Sequence, residues 1–214
     1  MKLPSKLCPF LSEEVGLHIG DGSMNFYNNK GLYQLRGHFL DDRKHYDLRI
    51  KELYKKIYSI DVSLRLMKST GVYGFQIWSN KLVSFKQKLG LPLGKKMNIK
   101  IPNQFLDEEI LLIPVIRGIF DTDGCLYLEK KNKKLYPRAK FTTTSGILAN
   151  QIKNSLSKLS ILSTKYTYIR PEKNWNDLHS VEIRGDKRVE NFFQIIQPAN
   201  YKHNMKYRSY KKNL

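Results

Sequence analysis

Cysteine is nearly absent from this chain. Cys8 and Cys125 stand far apart, with no second Cys or His at ligand spacing, which excludes a disulfide framework and a thiolate zinc site. Two free thiols suit a reducing compartment. Long apolar runs are missing too: no stretch of about 18 apolar residues is present, so no transmembrane span is expected. The N-terminal MKLPSKLCPFL is too short and too interrupted for a signal peptide. An intracellular protein is therefore expected, cytoplasmic with the nucleoid or organellar, and not a secreted one. Acidic side chains are scarce as well, with 19 Asp and Glu against 38 Lys and Arg, a formal charge of +19 over 214 residues. Such an imbalance repels itself unless a polyanion normally lies against it. Nucleic acid is the first candidate partner and an anionic membrane surface the second. The membrane is disfavoured because the basic residues alternate with apolar ones on strands and build no basic amphipathic helix.

What the chain does contain is a pattern written twice. VGLHIGDGSM runs from Val15 to Met24, and RGIFDTDGCL from Arg117 to Leu126, about half the chain later. Each carries a Gly, an apolar segment and then Asp-Gly, and a period of half the length points to duplication. The order after each Asp-Gly also recurs. In the first half MNFYNN and YQLRGHF alternate like strands, a helix is expected from Asp41 to Ile57, VSLRLMKS and YGFQIWS read as strands, and a helix follows over Lys81 to Leu89. In the second half LYLEKK and PRAKFTTT, a helix over Ile147 to Leu159, strands TKYTYIR and HSVEIRG, and a helix over Lys187 to Ile196 repeat the series. The expected fold class is α+β, two pseudo-symmetric αββαββα repeats, with boundaries at 1–105 and 106–214. Gly90 to Phe105 reads as a basic linker between them.

Local chemistry marks the helix ends. Ser12 ahead of Glu13 and Glu14, and Asp107 ahead of Glu108 and Glu109, read as helix starts, and Pro114 is expected to break or restart the second of these helices. Gly16 and Gly20 lie one turn apart, as do Gly118 and Thr122, so small residues would let the two motif helices approach closely across a pseudo-twofold axis. Asp21 and Asp123 then fall side by side at helix C-termini, with Gly22 and Gly124 expected as left-handed end residues. Two carboxylates at two negative helix ends repel unless a cation joins them. Mg²⁺, an oxygen-seeking ion that keeps several waters, suits that position, and bridging water and phosphate is what such ions do in phosphodiester hydrolysis.

VGLHIGDGS and IRGIFDTDG resemble the two signature motifs of the LAGLIDADG homing endonucleases, with the αββαββα order extending the resemblance over nearly the whole chain. The second motif is the closer match, carrying Asp121 as well as Asp123; in the first, Ile19 stands at the earlier Asp position and Glu14 replaces a Leu. The resemblance implies a monomer without an obligatory protein partner. Its motif helices pack at the repeat interface, and saddle-shaped antiparallel sheets lie in the major groove of double-stranded DNA. It further implies double-strand cleavage of a long target with short 3′ overhangs, the activity used in intron homing. Mg²⁺ is the implied cofactor, Mn²⁺ a substitute, and Ca²⁺ an ion that supports binding without cleavage. The metal ligands implied are Asp21, Asp123 and the carbonyls of Gly20 and Thr122. By the same resemblance, a lysine after the last helix of each repeat falls at Lys95 or Lys96 and at Lys202. A polar residue ending the second strand falls at His38 and Thr143.

Strand alternation supplies candidate DNA-facing residues, because a β-ribbon fits the major groove and Arg, Lys, Gln and Asn read base edges there. These are Gln34, Arg36, His38, Ser63, Arg65, Gln76, Trp78 and Asn80, then Arg138, Lys140, Thr142, Tyr166, Tyr168, Arg170, Ser180, Glu182 and Arg184. The opposite faces carry Leu35, Phe39, Phe75, Ile77, Val181 and Ile183, which helices can bury. An RNA splicing maturase or a non-catalytic DNA-binding regulator on the same fold is the competing reading.

Overall fold

The structure, a computed structural model, describes residues 1–170 and 176–212. Helix α1 (Pro9–Asp21) leads into the hairpin β1 (Gly22–Tyr27) and β2 (Lys30–His38). Helix α2 (Phe39–His45) runs through a wide π turn at Tyr46–Ile50 into α3 (Lys51–Tyr58), and β3 (Arg65–Met67), β4 (Val72–Trp78) and α4 (Asn80–Lys88) complete the first unit. The second unit is α5 (Glu109–Asp123), β5 (Gly124–Lys131), β6 (Lys134–Thr143), α6 (Gly146–Lys158), β7 (Thr164–Tyr168), β8 (Leu178–Arg184) and α7 (Asp186–Ile196). Helix α8 (Tyr201–Lys212) follows, an element the repeat pattern did not announce.

Two antiparallel four-stranded sheets result, in the orders β1-β2-β4-β3 and β5-β6-β8-β7. Register places Tyr33 opposite Ile77 and Leu35 opposite Phe75 in one sheet, and Ala139 opposite Ile183 and Phe141 opposite Val181 in the other. These inward positions are apolar, and helices cover them. The alternate positions form the open faces, where Gln34 pairs with Gln76 and Arg138 with Arg184.

The two motif helices, α1 of the first unit and α5 of the second, pack on each other. Leu11, Val15, Leu17 and Ile19 of α1 and Leu112, Val115, Ile116, Ile119 and Phe120 of α5 are buried. Their backbones nearly touch: a Cβ on Gly16 would stand 3.0 Å from Gly118 Cα and collide with the Val115 carbonyl, and one on Gly118 would reach Gly16 C at 2.9 Å. Only hydrogen fits there, which fixes the distance between the two repeats.

Several local expectations are corrected. Helix α1 begins at Pro9 after Cys8, so Ser12 is not its cap; Ser12 Oγ donates to the Cys8 carbonyl at 3.0 Å, and Glu13 and Glu14 are buried. Helix α5 begins at Glu109 after an extended Glu108, without a cap from Asp107, and runs unbroken through Pro114. The proline sits near the outer end of a helix whose inner faces are held by burial, so losing one backbone bond does not end it. Gly22 and Gly124 have φ of −80° and extended ψ rather than left-handed backbone. They are glycines for space, since a Cβ would strike His18 at the first and Phe120 at the second. The stretch read as VSLRLMKS contributes only Arg65–Met67 to the sheet, which leaves Ser63 outside it. Ser79 and Ser145 do cap α4 and α6, each accepting from a backbone N–H at 3.2 Å.

Candidate active site at the paired helix ends

Asp21 and Asp123 end α1 and α5, and the close helix contact brings them together. A Cβ on Gly20 would lie 3.3 Å from Asp123 Cγ and would overlap Thr122. Tyr46, presented by the π turn, donates its hydroxyl to Asp21 Oδ2 at 3.0 Å. Burial pushes the Asp21 carboxyl up to about 7, reinforced by the charges of Asp42 and Asp123. Asp123 stands at the more open position. Desolvation still raises its carboxyl, against the pull of Lys96 and Lys202.

The two lysines are held by different devices. Lys96 Nζ donates to the Ile19 carbonyl at 2.9 Å, to that of His18 at 3.3 Å and to that of Gly20, so it caps the negative end of α1. Burial lowers its pKa, and the charges of Asp123 and Asp21 oppose the shift. Lys202 Nζ pairs with Asp42 Oδ1 at 2.8 Å while its charge acts on both Asp21 and Asp123. Lys95 is exposed and lines a shallow cavity of about 250 Å³ with Asn25, Tyr27 and Gln34, on the sheet side. His38 ends β2 and pairs outward with Asp41 at 3.1 Å, whereas its neighbour Gly37 is the residue packed on Asp21 and Asp42. Thr143, together with Thr142 and Thr144, lines a cavity of about 300 Å³ that also contains Gly20, Lys96 and Asp123. The Thr122 hydroxyl turns back to the Gly118 carbonyl at 2.9 Å.

A family model described as the LAGLIDADG-like domain matches residues 112–197, which span most of α5 through α7, and the first unit repeats the same topology. Residues 112–197 are a LAGLIDADG-like domain. Among solved structures, a mesophilic variant of the homing endonuclease I-DmoI superposes with a TM-score of 0.60 at 16% identity, covering 88% of this chain and 94% of that one. The homing endonuclease I-WcaI bound to its DNA recognition sequence gives 0.61 at 14% identity over 92% and 84%. The N-terminal LAGLIDADG domain of DUF199/WhiA gives 0.55 at 17% over 88% and 82%. At these identities the likeness is one of fold. A glutamine–fructose-6-phosphate aminotransferase of Methanocaldococcus jannaschii is 27% identical over 199 residues, and this chain spans 17% of its length.

The open faces of the two sheets are polar but not uniformly accessible. In the first sheet Gln34 Nε2 donates to Gln76 Oε1 at 3.4 Å and Arg36 Nη2 to the same oxygen at 3.1 Å, with Arg65 exposed beside them and Trp78 against Tyr27. Asn80 does not continue the strand face. It is the first residue of α4, and its side chain ties the β1–β2 turn, accepting from Gly31 N at 2.5 Å and donating to the Asn29 carbonyl at 2.8 Å. In the second sheet Ser180 and Glu182 are buried, contrary to a direct reading role. Glu182 lies beneath three cations, with Arg184 Nη2 at 2.7 Å and Arg138 and Lys140 each at 3.6 Å. The guanidinium of Arg184 also lies over the Tyr166 ring at 4.7 Å, and Lys140 reaches the Tyr168 ring at 6.0 Å. Thr142 pairs across the strand with Ser180. Arg170 lies beyond β7 and donates to the Asn176 carbonyl at 3.1 Å.

Sequence patterns missed the polar frame behind the centre. Asp121 is buried, burial pushes its carboxyl up to about 7, and it accepts from the backbone N–H groups of Ala199 and Asn200 at about 3 Å. It thereby anchors the corner between α7 and α8. Asp42 and Asn200 meet across the repeats at 2.8 Å, a pairing with no local signature. Glu13 accepts from Arg49 at 2.7 Å and from Arg117 at 3.4 Å, and so ties α1 to the π turn and to α5.

Proposed function

We propose that this chain is a site-specific endonuclease that makes a metal-dependent double-strand break in a long DNA target and leaves short 3′ overhangs. The observation that carries the reading is the meeting of Asp21 and Asp123 at two abutting helix ends, with Lys96 and Lys202 beside them. Two open antiparallel faces flank that centre, as readers of the two major-groove segments would require.

The donor chemistry fits a hard divalent cation. Two carboxylates raised by burial and by other charges, with the helix-end carbonyls of Gly20 and Thr122 next to them, offer oxygen and little else. Among the described residues no three His, Cys, Asp or Glu side chains form a metal cage, which suits Mg²⁺ or Mn²⁺, ions that retain water and share substrate phosphate. The structurally similar endonuclease I-DmoI is described in complex with DNA together with Ca, and with its target DNA in the presence of Mn or Mg. When bound, the ion supplies Lewis-acid polarisation of the phosphate and activation of water. The chain's own residues do the rest. Tyr46 fixes the rotamer of Asp21, Lys96 and Lys202 present positive charge where the phosphate gains negative charge, and the sheets hold the duplex in line.

Asp21→Asn and Asp123→Asn keep shape and remove the charge that would hold metal. Each should slow Mg²⁺-dependent cleavage of a target selected from a randomised DNA library by at least about a hundredfold. Gel-shift affinity should stay or tighten, and the unaltered protein in Ca²⁺ should bind without cutting. Full double-strand cleavage by either variant would overturn the assignment. A non-catalytic DNA binder is the second reading, favoured by one observation: Lys96 already occupies the Gly20 carbonyl. Failure of the unaltered protein to cut any selected target in Mg²⁺ or Mn²⁺ would decide for it.

A further inference from the structure

We infer that Asp42 is a positioning residue that holds the Lys202 ammonium at the paired helix ends. The inference rests on the nuclease reading above for its consequence and on the geometry below for its substance.

Asp42 belongs to the first repeat and Lys202 to the segment after the last helix of the second. The carboxylate is nearly fully buried and its acceptor capacity is committed. Oδ1 receives Lys202 Nζ and Asn200 Nδ2, both at 2.8 Å, and Oδ2 receives the His38 backbone N–H at 2.9 Å. With three donors in place it is a brace and not a vacant ligand. Asn200 completes the frame from the other side. Its side-chain amide also donates to the Asp121 carbonyl at 2.7 Å, its backbone N–H meets the Asp121 carboxylate at 3.0 Å, and its Oδ1 accepts from Lys202 N at 3.1 Å. Both ends of the Lys202 residue are thus fixed, backbone by Asn200 and ammonium by Asp42.

The ammonium is held without being sealed. The Lys202 side chain keeps 28% of its surface, against 7% for Asp42, so it can reach an incoming phosphate. A buried charge-assisted contact of this kind confines a flexible four-carbon arm that would otherwise sample many rotamers. The device is one-sided. Asp42 lies four residues past the end of β2, and the residue four past the end of β6 is Ile147, which is half exposed. Lys96, the matching lysine of the first repeat, relies instead on helix-end carbonyls.

The test is a double-mutant cycle in the full chain with Asp42→Asn and Lys202→Met. Asp42→Asn should lower the single-turnover cleavage rate by about tenfold or more through misplacement of the lysine, while target Kd moves by less than about twofold. In the Lys202→Met background the same substitution should have no further effect on rate. Asp42→Glu keeps the charge, should restore part of the rate, and serves if the asparagine variant does not fold. Additive losses in the cycle, or an unchanged rate in Asp42→Asn, would refute the inference. A second readout needs no cleavage: acetylation of Lys202 followed by mass spectrometry should be faster in Asp42→Asn than in the parent. Equal reactivity overturns the positioning role. Faster reactivity in a protein that never cuts supports the brace and discards the nuclease reading instead.

Discussion

Lys86 has no exposure to water, and it stands against Glu14, which has none either. Three tyrosine hydroxyls converge on the same carboxylate: Tyr33 and Tyr58 at 3.2 Å and Tyr54 in closer contact. Burial pulls the lysine pKa down while Glu14 opposes the shift, and the ammonium also lies over the Tyr33 ring at 4.3 Å. Glu14 occupies a position where the signature motif carries a leucine, and the structure shows how a charge is tolerated there, by a complete set of donors. Removing one partner should therefore cost far more than an exposed pair would. Lys86→Met is expected to destabilise the protein by about 3 to 5 kcal/mol, the cost of stranding a buried charge. Urea unfolding measures it, and a loss under about 1 kcal/mol would show the pair to be dispensable. At this scale the sequence was least legible. Asp21 and Asp123 stood out because their surroundings repeat. Asp42, Asn200 and Glu13 did not, because their partners lie up to 160 positions away and obey no period.

Element order was legible, since amphipathic spacing and strand alternation are local properties and the duplication stated each element twice. Helices expected over 81–89, 147–159 and 187–196 form within a residue or so of those limits. The errors have physical causes. Ser12 and Asp107 look like caps, yet tertiary burial extends α1 upstream to Pro9 and starts α5 after Glu108. The β3 strand is short because its segment lies at the sheet edge with only β4 to pair with. The helix continuing from β2 carries a π turn, which shifts Tyr46 onto Asp21 and Arg49 onto Glu13, and no composition signal marks such a turn. The contact of α1 with α5 is the element-level feature most exposed to test. A leucine at Gly118 would meet the Glu13 carbonyl, Leu17 N at 2.7 Å and Gly16 C at 2.9 Å, all backbone that cannot swing aside. Gly118→Leu should cost more than about 2 kcal/mol, the upper part of the range for overpacking. A thermal melt equal to the parent's would mean that the two motif helices do not abut.

At the scale of the whole molecule the question is where an excess of 19 positive charges is put. Some cations are paired inside the protein: Arg49 and Arg117 with Glu13, and Lys86 with Glu14. Others lie on the open sheet faces, Arg36 and Arg65 on one and Arg138, Lys140 and Arg184 around Glu182 on the other. Among the described residues no helix is long and apolar enough to cross a membrane. If both sheets lie along one duplex, phosphates are neutralised on each side of the centre, and every neutralised phosphate releases condensed counterions. Log K for the selected target should then fall linearly with log salt, by about 0.9 per phosphate contact. Two sheets engaged together should give a slope steeper than about −3. The measurement is a binding titration in Ca²⁺, which separates affinity from cleavage, repeated from low to moderate salt. Arg65→Gln and Arg184→Gln report on the halves separately, because these side chains are exposed and belong to different sheets. Each should make the slope shallower if its residue touches phosphate, or leave the slope and alter base preference if it reads a base edge. A slope shallower than about −3 in the parent would mean that the basic faces are not the DNA footprint.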